Sequence, residues 1–374
     1  VPEIKSVLIV CPKSVLLNWQ READKWMIRS DVLFCVINYD RLGKLTITEP
    51  FDLLVADEAH YLKTPTAKRT KLFFAIPAKR TLFLTGTPIL NRPIELWPML
   101  QRLDPLDLGR DKWAFGYRYC NLRQKRVGFS KTVYDWNGSN NLDELQEKLR
   151  AKCMVRRLKA DVLTELPAKR RQIIPLDHSG ATKLLEAERK LAREVGFEEM
   201  ARRLESGAAV GMTEMSKVRH ELGLAKVDKA IDHITDLLEN TGKVVVFAHH
   251  RDVIEALVNG LQPFNPLVIT GATDAKSRQL RVELFQAGPG NRVFIGQIQA
   301  AGVGITLTAA STVVFVEQDW TPGNMAQAED RCHRIGQKES VLIQYLVFDE
   351  SLDANMANTL IRKSRVADAA LDKE

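Results

Sequence analysis

An α/β fold is what the sequence predicts, with two doubly wound lobes of parallel sheet and helical insertions between them. Three observations carry that prediction. Seven short apolar runs lack the in-and-out alternation of a half-exposed sheet, as strands buried on both faces do: Val7–Val10, Leu33–Ile37, Phe51–Ala56, Thr81–Leu84, Val244–Ala248, Val293–Ile295 and Thr312–Val316. Helix-like stretches separate many of these runs, as expected where crossover helices join parallel strands. The runs also fall into two groups, one before about Leu103 and one after about Lys243, with a charged, helix-like middle exemplified by Leu142–Leu149 and Lys183–Leu204.

A middle of that length exceeds what a loop carries, so it must fold on its own terms. The expected partition is a first lobe over 1–104, a helical insertion that returns to it over 105–178, and a second helical insertion or linker over 179–240. A second lobe follows over 241–348, then a helical extension over 349–374. No solenoid repeat or low-complexity tract interrupts this order.

Composition bounds the rest. A chain of 374 residues, 45% hydrophobic and 27% charged, can bury an ordinary core and is not expected to be disordered. Fifty-four Lys and Arg against 47 Asp and Glu leave a net charge of +7, which suits a polyanionic partner without demanding one. Cys11, Cys35, Cys120, Cys153 and Cys332 are scattered, with no C-x-x-C pair and no zinc-finger spacing. A reducing intracellular compartment is therefore expected, the nucleus in a eukaryote or the cytoplasm in a bacterium or virus. No apolar run approaches the roughly 18 residues that suggest a membrane span, and no secretory leader opens the chain. It begins at Val1 just before an apolar run, so the natural N-terminus is expected upstream.

Phe51-Asp-Leu-Leu-Val-Ala-Asp57-Glu58-Ala-His60 places two carboxylates directly after a buried strand. At the carboxyl end of a parallel strand such a pair can hold a magnesium nucleotide, Asp57 near the metal and Glu58 free to orient or deprotonate an attacking water. Two neighbouring acids are more often simply solvated; the preceding strand and the sites that follow argue otherwise. The next strand ends in Thr85-Gly86-Thr87-Pro88, a common turn whose hydroxyls can bond a neighbouring loop and pass on the nucleotide state. His60 is placed to share that coupling. Near the other end, Gln327-Ala-Glu-Asp-Arg331-Cys-His-Arg334-Ile-Gly-Gln337 sets two arginines three positions apart, which is expected to place them on one face of a helix. An Arg at a transferring phosphate contributes roughly 10³ to 10⁵ in rate, whereas the ordinary fate of such a run is a solvated basic helix. Gly302 and Gly304 would let backbone approach phosphate closely, although a lone Gly-x-Gly is weak.

Taken in order, these residues resemble the SWI/SNF-like DNA translocases of helicase superfamily two. The resemblance rests on Pro12-Lys13-Ser14 with Asn18-Trp19, Asn38-Tyr39-Asp40, the Asp57 box, Thr85-Gly86-Thr87-Pro88 and the Gln327–Gln337 box. Arg156-Arg157-Leu-Lys159-Ala-Asp161-Val162 with Leu166-Pro167-Ala-Lys169 adds to it, and it runs from about residue 7 to 350. Within the family, Val246-Phe-Ala-His249-His250, Trp136-Asn-Gly138-Ser-Asn-Asn141-Leu142, Ala300-Ala-Gly-Val-Gly and Gln327-Ala-Glu-Asp-Arg331 read like the annealing-helicase, fork-remodelling branch.

What the resemblance implies is two RecA-like lobes, ATP and Mg²⁺ as cofactors, and a monomeric motor core on double-stranded or branched DNA. ATP would lie between Asp57 and Glu58 on one lobe and Gly302, Gly304, Gln327, Arg331 and Arg334 on the other. DNA contacts carried over by motif are Lys13, Ser14, Asn38, Tyr39, Thr270, Gly271, Thr308 and Trp320, mainly to phosphates and therefore salt-sensitive and sequence-tolerant. Trp19, Trp26 and Trp320 have packing as their plain alternative, and the adjacent His249 and His250 point different ways, which argues against a metal pair. The basic clusters at 68–69, 123–126 and 169–171 are solvated faces by default.

One departure stands out: no Gly-x-x-x-x-Gly-Lys-Ser/Thr loop, the phosphate cradle of such motors, occurs in these 374 residues. As it stands the chain is expected to bind ATP poorly and hydrolyse it slowly or not at all, with the loop expected upstream of Val1. The rival expectation is a nucleotide-independent DNA scaffold, against which the retained acids and arginines count. A strand-separating helicase is a third.

Overall fold

A computed structural model describes residues 4–26, 30–86, 92–127, 131–136, 138–157, 163, 165–195, 213–302, 304–319, 321–358 and 361. The chain divides into two compact units, Val1–Leu158 and Lys159–Glu374.

In the first unit β1 (Ser6–Cys11), β2 (Leu33–Asn38), β3 (Phe51–Asp57) and β4 (Ala78–Leu84) form a parallel sheet in the order β2-β1-β3-β4. Helices α1 (Leu16–Trp26) and α2 (Lys68–Phe74) lie in two of the connections. The central strands β1 and β3 supply Leu8, Val10, Leu54 and Ala56 to the core, whereas the outer strands are only half buried. Their apolar runs are therefore legible as strands even where one face is wet.

Beyond α3 (Trp97–Leu103) and α4 (Lys112–Tyr119), the middle of the chain departs from the helical expectation. Arg123–Val127 (β5) and Lys131–Asp135 (β6) pair as an antiparallel hairpin before α5 (Leu142–Lys152). The charge-rich strand of this hairpin offers no apolar alternation to read.

The second unit is built on a six-stranded sheet in the order β7-β12-β11-β8-β10-β9, parallel at every pairing: β7 (Lys169–Leu176), β8 (Val244–Ala248), β9 (Leu267–Ile269), β10 (Val293–Gln297), β11 (Thr312–Phe315) and β12 (Val341–Phe348). Strand β7 corrects the partition, since it pairs with β12 over eight positions and so joins the second unit instead of returning to the first. Of the 179–240 stretch, α6 (Thr182–Val195), α7 (Thr213–Ala225) and α8 (Val227–Asn240) are also no separate linker. Their Leu185, Leu222, Ala230, Ile234 and Leu238 cover one face of the sheet. The other face, with Phe247, Phe294, Val313 and Tyr345, is closed by α10 (Ala275–Ala287), α11 (Ile298–Ala301) and α12 (Pro322–Glu329); α9 (Arg251–Gly260) follows β8. Phe247, Phe315 and Tyr345 stack across neighbouring strands at 5.1 and 5.3 Å, each contact adding about 0.5–1.5 kcal/mol beyond its buried area. Of the expected extension over 349–374, residues 352–358 are helical and most of the remainder lies outside the described residues.

Candidate functional site

All four strands of the first sheet end at one edge, which gathers Lys13, Asn38, Asp57 and Thr85 within a single unit, the edge at which parallel sheets place their working loops. At the end of β3 the backbone turns abruptly: Glu58 sits in the left-handed region at φ 50°, ψ 53°, and Ala59–Leu62 follow as a 3-10 turn. A non-glycine residue there is strained, a condition that concentrates at functional sites. Asp57 is held from three sides. Its Oδ2 accepts from Trp19 Nε1 at 2.7 Å, its Oδ1 from the Glu58 N–H at 2.9 Å, and its carbonyl from the Tyr39 hydroxyl at 2.7 Å. Burial raises the Asp57 carboxyl above the usual range, the Trp19 bond opposes the rise and the Glu58 charge adds to it.

Glu58 is less satisfied. Its Oε2 is buried without a hydrogen-bond partner, although it lies 3.2 Å from His60 Nδ1; the separation suits an ion pair while the angles do not make a hydrogen bond. His60 Nδ1 is also 3.4 Å from Thr85 Oγ1, so this ring spans the acid loop and the hydroxyl loop. Gly86 follows Thr85 with open space where a side chain would stand, and Thr87 lies outside the described residues.

The DNA contacts expected in this unit divide. Lys13 is exposed and Ser14 half-buried on the 3-10 turn after β1, free in geometry to meet a ligand. Asn38 and Tyr39 are not. Asn38 is buried and its side chain accepts from the Arg41 N–H at 3.1 Å; Tyr39 is 3% exposed and its hydroxyl is committed to Asp57. Tyr39 thus steadies the acid loop, while Asn38 caps the 3-10 turn that follows β2. Tyr39 stacks on Tyr61 at 5.4 Å with rings 10° from parallel, Arg69 lies 5.3 Å over Tyr61, and the Tyr61 N–H donates to the Glu58 carbonyl at 2.9 Å. A surface cation is thus linked through two rings to the acid pair.

In the second unit Gly302 closes α11, and a Cβ there would lie 2.4 Å from the Ile298 carbonyl. Gly304 adopts φ 75°, open to glycine at little cost, and the turn it makes presents the Ile305 carbonyl. Onto that oxygen converge Arg331 Nη1 at 3.4 Å and Arg334 Nη1 at 3.2 Å, with Arg334 also 3.5 Å from Thr306 Oγ1. Arg331 Nε donates to the Gln327 carbonyl at 2.8 Å. The two arginines do meet, but not as one face of a helix: α12 ends at Glu329, and the residues from 330 to 336 are turns. Gln337 holds those turns, its Nε2 donating to the carbonyls of Thr308, Ala310 and Cys332.

Among the other contacts expected here, Thr308 Oγ1 accepts from Gln286 Nε2 at 3.0 Å. Thr270 shapes its own turn, and the exposed Gly271 gives its N–H to Gln297 at 2.9 Å. Trp320 lies outside the described residues.

Several residues that organise this site were not singled out from sequence. Glu329, fully buried, accepts from Lys169 Nζ at 3.0 Å, from Arg171 at 2.7 and 3.0 Å and from the Tyr345 hydroxyl. Burial works against its charge, but the two cations hold its carboxyl below the usual range. Lys169 and Arg171 are therefore not the solvated face expected of the 169–171 cluster; strand alternation turns them together and leaves Arg170 exposed. Glu317 accepts from the N–H groups of His249 and His250 at 2.8 and 2.9 Å, and its other oxygen lies 2.6 Å from His250 Nδ1. The available signal was a carboxylate, Glu329, two positions before Arg331 in the Gln327–Gln337 box, together with the Lys169-Arg170-Arg171 run.

These groups suit a magnesium nucleotide in part. Among the described residues no group of three or more His, Cys, Asp or Glu could hold a metal ion. The orphaned Glu58 oxygen calls for a donor such as a water.

The SNF2-related domain model matches residues 37–187, and the helicase conserved C-terminal domain model matches residues 225–336. The DNA annealing helicase and endonuclease ZRANB3 of Mus musculus is 36% identical over 402 residues, covering 98% of this chain and 36% of that protein. The SWI/SNF-related matrix-associated actin-dependent regulator of chromatin subfamily A-like protein 1 of Xenopus tropicalis is 34% identical over 370 residues, covering 93% of this chain and 38% of that one. The chain thus spans little more than a third of the length of these curated relatives. Among solved structures, the Sulfolobus solfataricus SWI2/SNF2 ATPase core in complex with dsDNA aligns with 97% of this chain and 81% of its own, at 22% identity and a TM-score of 0.41. No helix among the described residues is long and apolar enough to cross a membrane.

Proposed function

The chain belongs to the SNF2-related, SWI/SNF-like family of helicase superfamily two, and from that premise we propose that the complete protein is an ATP-dependent translocase and remodeller of double-stranded DNA that works at branched DNA. The observation that carries this reading is the acid pair at the end of β3, where Glu58 keeps a buried carboxylate oxygen without a hydrogen-bond partner.

Asp57, oriented by Trp19 and Tyr39, is the residue to sit beside Mg²⁺, and Glu58 is the base that takes the proton of an attacking water. Magnesium ATP, when bound, supplies the phosphoryl group and the free energy. Arg331 and Arg334, drawn together on the Ile305 carbonyl, offer positive charge to the phosphates, beside Gly302, Gly304 and Gln327. His60 with Thr85 and Gly86 couples the acid loop to its neighbour. Lys13, Ser14, Thr270, Gly271, Thr308 and Trp320 are the proposed contacts to DNA, largely to its backbone. A nuclear location and a monomeric motor core accompany this reading.

ATP turnover by the complete protein, measured with and without duplex DNA, tests it. Duplex is expected to stimulate turnover, and Glu58→Gln to lower it by about 10²–10⁴ with folding and DNA binding retained. Absence of stimulation would overturn the proposal. Duplex binding indifferent to nucleotide and to Glu58→Gln would point instead to a scaffold, and robust strand displacement to an unwinding helicase.

A further inference from the structure

Helix α4 carries more aromatic surface than its core requires. Phe115 and Tyr119 face inward, packing at 5.1 Å, with Trp97 5.7 Å from Phe115. Trp113 and Tyr117, four residues apart and so on one stripe, remain 46% and 53% exposed. Trp113 meets the edge of Tyr134 at 4.7 Å and the tilted ring of Trp136 at 5.2 Å, and the Lys112 ammonium stands 4.8 Å over Trp136.

These rings anchor the hairpin β5–β6 to the helix. A Cβ on Gly116 would come within 2.4 Å of the Trp136 ring, and one on Gly138 within 2.7 Å of the Cys120 carbonyl, so both glycines are dictated by close approach. Gln124 Nε2 donates to the Tyr134 hydroxyl at 2.9 Å, and Asn140 N–H to the Tyr119 carbonyl at 2.9 Å. A two-stranded ribbon has little stability of its own; this one is tied at its base. Between 123 and 135 the sequence carries Arg123, Lys125, Arg126 and Lys131 against one acid, Asp135.

We propose that α4 and the hairpin form a second nucleic-acid contact, a stacking platform for unpaired bases where duplex DNA branches. The inference rests on the translocase reading above and adds a substrate feature to it. Exposed aromatic rings accept bases on their faces whatever the sequence, and the Lys112 ammonium beside them holds a phosphate of the strand. Bases inside a duplex are stacked on one another and cannot use such a surface, so the platform distinguishes a fork from a blunt duplex. Charge decides the class of partner: four cations to one acid suit a polyanion.

The test is fluorescence anisotropy of the complete protein, without nucleotide, on a labelled blunt duplex and on a fork with two unpaired arms. Trp113→Ala with Tyr117→Ala is expected to weaken fork binding about 10-fold and leave duplex binding unchanged, while Trp113→Phe keeps most of the fork affinity. Tyr117→Ala alone, at an exposed position, gives a smaller loss in the same direction if the double variant folds poorly. Equal losses on both DNAs, or none on either, would overturn the platform while leaving the translocase reading intact; unchanged affinities would leave this face to a protein partner. Wild-type protein that binds neither DNA would overturn both.

Discussion

The acid edge of the first unit and the arginine turns of the second solve opposite physical problems. Asp57 and Glu58 keep like charges adjacent, one on strained backbone and with a buried oxygen that has no hydrogen-bond partner among the described residues. Arg331 and Arg334 rest on carbonyls, and the helix before them is clamped through Glu329 to two cations and a tyrosine hydroxyl. On the reading proposed above, the first region is primed for a ligand at the expense of its own stability, whereas the second is held by contacts within the chain. This is the division expected where one site must change charge during a reaction and the other must only present it.

The contrast breaks most visibly at Glu329. Glu329→Ala leaves Lys169 and Arg171 without their buried partner, and the second unit should lose about 3–5 kcal/mol, read as a lower denaturant midpoint. A loss below ~1 kcal/mol would mean the clamp is ornamental. The next effect is pH-dependent. Burial and the nearby Asp353 charge push the Glu188 carboxyl up to about 7. A carboxyl raised in the folded state favours folding while protonated, so its contribution is complete below the unfolded value and is lost as pH rises through about 7. Between pH 5 and pH 8 the second unit should lose about 2–3 kcal/mol, and Glu188→Gln should flatten that decline in pH-resolved melting curves.

Gly304→Ala, which forces φ 75° on a side chain, should cost about 1–2 kcal/mol and loosen the carbonyl that gathers the arginines, seen as slower turnover together with lower stability. On the acid edge the sign should reverse. Because the folded Asp57 carboxyl is raised, its ionisation opposes folding above that pKa. Asp57→Asn should therefore gain about 0.5–2 kcal/mol at neutral pH while abolishing turnover, with the gain vanishing in acid. If Asp57→Asn destabilised the protein at pH 7, the contrast between the two regions would be wrong.

Much of this was legible without coordinates. The runs at 7–10, 33–37, 51–56 and 81–84 all became strands; burial accounts for the unbroken apolar runs of the central β1 and β3, whereas β2 and β4 carry theirs while only half buried. Strand β12 escaped notice since Gln344 interrupts its run, and that side chain turns out to pair with His233 at 2.9 Å. Strand β7 hid behind Lys169-Arg170-Arg171, whose charges are satisfied across the fold by Glu329. The hairpin gave no periodic signal because its strands are polar. Asn38 and Tyr39 lie at the expected edge of the sheet, and their bonds to the Arg41 N–H and the Asp57 carbonyl were not legible: spacing locates a residue along the chain, not the direction its side chain takes.

Local chemistry was enough to locate the acid pair at a strand's end, the glycines and arginines of the second unit, and the alternation that makes the fold α/β, since each depends on near neighbours along the chain. The indole that steadies Asp57, 38 residues away, and the cations that neutralise Glu329, 158 and 160 residues away, were settled by packing alone. A buried charge takes whichever partner the fold brings within 3 Å or so, and that choice is not written in the residues beside it.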